Sequence, residues 1–167
     1  MAKRKASPAK KKTRKAAPAS SEASSHKRLA RRWFDQVWNK RRPAAIAEMM
    51  SPKCVGHGKA ADGGDTIGSD GFKSFQEVYL GAFPDLKVIV GDVIVEGRKM
   101  AVRWVATGTH QGDTLGFPAT GKPMRITGMS IVYVKGGKIV EGWDSYDQHG
   151  MLQQLGLTAA PVGSRAL

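Results

Sequence analysis

The second half of the chain leaves little choice of architecture. Four runs, LKVIVGDVIVEG, KMAVRWVATGTH, KPMRITGMSIVYVK and KIVEGWDSYD, are rich in β-branched and aromatic residues, which fit a pleated, half-buried surface. Gly97-Arg98 and Gly136-Gly137 separate neighbouring runs by two residues. A two-residue link with glycine admits the positive φ of a tight hairpin turn, so these pairs are expected to be antiparallel. The longer stretch QGDTLGFPATG joins the two middle strands. The expectation is a four-strand meander.

Upstream the apolar period changes to that of a helix. Leu29, Trp33 and Val37 recur at i, i+4 and i+8, with Phe34 and Trp38 beside them. That predicts one helix, capped by Ser25 and ended before Pro43. Pro43 suits the start of a second short helix, PAAIAEMM. SPKCVGHGKAADGGDTIG, with five glycines, reads as a loop. Ser69 then caps a third helix carrying the stripe Phe72, Phe75, Tyr79, Phe83. A closing helix, HGMLQQLG, stops at Gly156. Helices followed by a meander give an α+β class, with helices on one face of the sheet.

Charge divides the chain unevenly. Of 167 residues, the first 32 hold 12 basic residues and one acid, Glu22, whereas residues 33–167 are close to neutral at +2. Residues 1–25 contain no aromatic residue and cannot offset their ordering entropy by burial, so a disordered tail is expected. Residues 158–167 read as a frayed end. Clustered lysines release counterions from phosphate backbones, so the tail suits weak, non-specific nucleic-acid contact. The near-neutral fold does not offer the basic face of a nucleic-acid-binding core. A single cysteine, Cys54, excludes an internal disulfide framework. No apolar run is long enough for a membrane span and no apolar segment follows the basic start, so a cytoplasmic protein without membrane contact is expected.

Side chains suited to proton transfer are few: His57, His110, Asp144, Asp147 and His149. Strand alternation puts Val102, Trp104, Ala106, Gly108 and His110 on one side, which should face the helices and bring His110 to the rim of the enclosed space. Gly142, Asp144 and Tyr146 share one face of the last strand; Trp143, Ser145 and Asp147 share the other. Periodicity leaves open which is inward. An aspartate in a water-poor cavity has its pKa raised towards neutrality, as a general base requires. The plainer readings stay open: Asp147 as a helix cap, Asp144 as a solvated strand residue, His149 as a surface group, and structural roles for His57 and His110. HExxH, P-loop, GxGxxG and GxSxG motifs are absent, and the histidines lack metal-ligand spacing, so no metal site is expected.

FPDL at 83–86, GTHQG at 108–112, LGFPATGK at 115–122, GGKIVEGWDSYDQ at 136–148 and QQLG at 153–156, with VGHG at 55–58 upstream, resemble the SnoaL-like polyketide cyclase family, also called ester cyclases. The resemblance covers about residues 28–157. It implies the cone-shaped α+β fold of the nuclear transport factor 2-like superfamily, in which a curved sheet wraps helices around one deep, largely apolar pocket. It also implies cofactor-free ring closure by intramolecular aldol condensation of a hydrophobic, carbonyl-rich substrate. Asp144 would be the acid/base residue. His57, His110 and Asp147 would be polar pocket groups, and Trp33, Phe75, Trp104 and Trp143 its walls. Two other functions remain in view: a non-catalytic ligand-binding or dimerisation module of this fold, and a related hydrolase or dehydratase. Apolar residues on both faces of the third strand (Met129, Ile131 and Tyr133 against Met124, Ile126, Val132 and Val134) require a second cover, so a homodimer is expected.

Overall fold

The computed structural model describes residues 19–59 and 63–158. Most of the basic tail and the C-terminal end from residue 159 lie outside them. The chain runs as α1 (Ala19–Trp33), a π-helical segment (Phe34–Asn39), α2 (Pro43–Met49), β1 (Met50–His57), β2 (Thr66–Ile67), α3 (Gly68–Ala82), β3 (Lys87–Glu96), β4 (Lys99–Thr109), β5 (Pro123–Lys135), β6 (Lys138–Tyr146) and α4 (Gln148–Leu155). The α+β order expected from the sequence is present. None of these helices is long and apolar enough to cross a membrane.

The strands form one sheet in the order β2-β1-β6-β5-β4-β3. The meander β3–β6 is antiparallel with closely paired registers. Gly136 and Gly137 both have positive φ, 60° and 77°, which lets Lys135 and Lys138 pair across a two-residue turn. An extra residue in β3 between Val90 and Val93, and a register shift opposite Tyr133 and Val134, bend the ladder as bulges do.

Three local expectations are corrected. The glycine-rich stretch after α2 is not a single loop. It holds β1, which pairs parallel with β6, and β2, which pairs antiparallel with β1, so the sheet has six strands among the described residues. A strand joined to its parallel neighbour more than 80 residues later leaves no turn signal near itself. Ser25 does not begin α1, which already runs from Ala19. Ser69 is not the cap of α3; Ile67 holds that position without a side-chain bond, and Ser69 lies inside the first turn.

The helices cover one face of the sheet. Ala30, Trp33, Phe34 and Val37 meet Phe72 and Phe83 from α3 and its end, and Val102, Trp104 and Ala106 from β4. The π-helical segment leaves the carbonyl of Val37 available, and the buried Gln76 amide donates to it at 2.7 Å. That bond locks α3 to the first helical layer and satisfies a group that burial would otherwise penalise. At the far end Met151 and Leu155, one turn apart on α4, are buried, and Gly156 closes the helix in the left-handed conformation.

Candidate active site

Between helices and sheet lies an aromatic-lined cavity. A second compartment adjoins it. Trp33, Phe34, Phe72, Ser130 and Asp144 line both, so serine and aspartate stand where the two compartments meet. The walls interlock edge to face: Trp33 on Phe72 at 4.9 Å between centroids, Trp38 on Phe75 at 6.3 Å.

Polar groups enter this apolar space in a chain. The Trp104 indole N–H donates to Ser130 Oγ at 3.0 Å. The Ser130 hydroxyl donates to Oδ1 of Asp144, its cross-strand partner, and Lys59 Nζ donates to Oδ2. The Asp144 side chain is 24% exposed and the Lys59 side chain only 8%. The aspartate therefore sits at the cavity mouth, and the lysine is the covered partner. Burial draws the Lys59 ammonium below the ordinary lysine value, to about 8.

A second polar pair lies deeper. The hydroxyls of Tyr79, on α3, and Tyr146, at the end of β6, share a hydrogen bond. Burial, and then the bond to Tyr146, push the Tyr79 phenol far above its ordinary range, so it stays a neutral donor. Two hydroxyls carry two protons and their mutual bond uses one. The other can reach a substrate oxygen.

Of the residues singled out from sequence, Asp144, Trp33, Phe75 and Trp104 line the cavity. Four others do not. His57 stands outside it, with Nδ1 2.9 Å from Asp65, Nε2 2.9 Å from Glu141 and its ring stacked on Trp143 at 4.5 Å. Trp143 is one residue out of phase with Asp144 and so takes the outer face, 38% exposed. Asp147 caps α4, accepting from the Gly150 N–H at 2.8 Å. His110 is fully buried but lines neither compartment. The 110–122 link folds back, with His110 N–H donating to Lys122 O at 3.0 Å. The ring is enclosed against Phe83, and its Nδ1 accepts from the Thr120 N–H at 3.3 Å.

Lys59, Tyr79, Tyr146 and Ser130 are not among the site residues the sequence singles out. Tyr79 carried a signal, since it lies on the apolar stripe of α3 with its hydroxyl available. Lys59 carried almost none, being one lysine in a glycine-rich stretch.

The sequence model of the SnoaL-like polyketide cyclases matches residues 28–155. The chain belongs to this family. No curated protein matches it. Among solved structures, it is similar to IdmH of Streptomyces antibioticus, a candidate polyketide cyclase, at 28% identity and TM-score 0.69, covering 78% of this chain and 97% of that one. AclR of Streptomyces galilaeus, a candidate hydroxylase, is similar at 27% identity and TM-score 0.70, covering 83% and 89%. A protein from Catenulispora acidiphila with the ketosteroid isomerase-like fold shares 17% identity at TM-score 0.64, covering 78% and 93%, and shows the fold alone.

Proposed function

We propose that this SnoaL-like protein closes a ring on a linear, carbonyl-rich hydrophobic substrate by acid/base chemistry at Asp144, without a cofactor. The observation that carries the reading is the placement of one carboxylate, held from both oxygens, at the junction of two apolar compartments. Flat aromatic walls accept a planar polyketide chain. Asp144 takes a proton from a carbon between two carbonyls, and the Tyr79–Tyr146 pair donates to the enolate oxygen. The enolate carbon attacks a second carbonyl of the same chain, and Asp144 returns its proton to the new alkoxide. Ser130 and Lys59 aim the carboxylate, which limits the motion lost on reaching the transition state.

A second reading, ligand binding without turnover, is favoured by the fact that both carboxylate oxygens are already hydrogen-bonded. A linear poly-β-ketone thioester separates the two. Under the first reading the protein converts it to a ring-closed product, seen by chromatography with mass detection. Under the second it quenches the cavity tryptophans while the substrate is recovered unchanged.

A further inference from the structure

Ring closure through an enolate needs a base and a hydrogen-bond donor; it does not need a covered amine. Lysine is almost never buried unless paired; Lys59, paired with Asp144, brings its amine into the second compartment, which Met50, Cys54, Val132 and Ile139 also line. Among the described residues that line either compartment, it is the only amine. Its Nζ donates to Asp144 and lies 5.2 Å from the centre of the Phe75 ring. The stem passes over Gly56, where a Cβ would come within 2.9 Å of Lys59 Cδ. The strand is thus bare where the side chain must cross it.

We propose that Lys59 is a nucleophilic amine that forms an imine with a carbonyl of the substrate, with Asp144 carrying the protons of that step. The inference deepens the ring-closure reading and rests on the cavity accepting a ketonic substrate. Asp144 takes a proton from the ammonium as the carbonyl enters, and Nζ attacks the carbonyl carbon to give a carbinolamine. Asp144 returns the proton to the carbinolamine oxygen, which leaves as water, so ammonium and ketone become a protonated imine plus one water. Loss of the neighbouring carbon-bound proton to Asp144 gives an enamine, whose carbon attacks the second carbonyl, and Asp144 returns that proton to the new alkoxide. Addition of water then releases product and restores the amine. Desolvation favours this use, since it draws the amine below the ordinary lysine value, to about 8, and so raises the share that is neutral at pH 7.

The test uses the full chain and 1-phenylbutane-1,3-dione, a flat 1,3-diketone that condenses with a neutral amine to a stable enaminone. The expected result is one adduct per chain, with the mass of the diketone less one water, mapped to the peptide containing Lys59. Lys59→Arg should lose it, and Asp144→Asn should form it at least ten times more slowly. Quenching of tryptophan fluorescence reports binding separately. Binding without an adduct at Lys59, or labelling spread evenly over other lysines, overturns the amine role and leaves the cavity reading intact. Neither binding nor adduct overturns both. Should Lys59→Arg fail to fold, mapping on the wild-type chain still decides. Full ring-closing activity in a folded Lys59→Arg variant also overturns the proposal.

Discussion

Ser130 on β5 and Asp144 on β6 face each other as cross-strand partners, and the Ser130 hydroxyl donates to Oδ1 of the carboxylate while accepting from the Trp104 indole. One hydroxyl therefore links an aromatic wall to the candidate base. Ser130→Ala removes both bonds and leaves the indole N–H buried without a partner. The expected loss is about 1–3 kcal/mol of stability, measured by urea denaturation, together with a lower ring-closing rate. A variant as stable and as active as wild type would show the link to be incidental.

His57 gives the outer face a pH dependence. Its hydrogen bond to Glu141, aided by Asp65, raises its pKa above the ordinary 6.5. The folded state thus favours the charged ring. The stabilisation is complete below the unfolded value and is lost as pH rises through the folded one. Wild type should exceed His57→Gln in melting temperature more at about pH 5.5 than at about pH 8.5. A difference constant across that range would contradict this.

Met129, Ile131 and Trp143 are 57%, 50% and 38% exposed on the outer face of the sheet, an apolar surface that the helices do not cover. We propose that a second copy covers it. Light scattering at tens of micromolar should report a dimer, and Ile131→Asp should give a folded monomer. A monomeric wild-type chain would refute the proposal.

The basic residues of the tail lie at positions 3–15, ahead of the first described helix, so they can be removed without cutting α1. If they neutralise about six phosphates on duplex DNA, log affinity should fall against log salt with a slope of about −5. Deleting residues 1–18 should abolish this binding. Equal binding by the shortened chain would place the basic surface on the fold.

Where local chemistry decides structure, the sequence was readable. Paired glycines at 136 and 137 marked a hairpin, and the Phe72–Phe75–Tyr79 spacing marked α3. It failed where distant contacts decide. β1 reads as loop because its Pro52, Cys54 and Gly56 show no alternation, and its partner β6 is remote in the chain. His110 followed the strand zigzag to a rim that the returning 110–122 link then covered. Asp144 could be named without knowing its face, since alternation separates it from Trp143 but does not say which points inward. Lys59 was invisible: its burial exists only once Asp144, 85 residues later, is brought beside it.

If Asp144 moves the proton in ring closure, Asp144→Asn is the most direct test. Asparagine keeps the shape and an oxygen for Ser130 while removing the charge and the basicity. With a linear poly-β-ketone substrate, kcat should fall by about 100-fold or more, with the circular dichroism spectrum unchanged. Ring closure by the folded Asn variant at the wild-type rate would contradict the account.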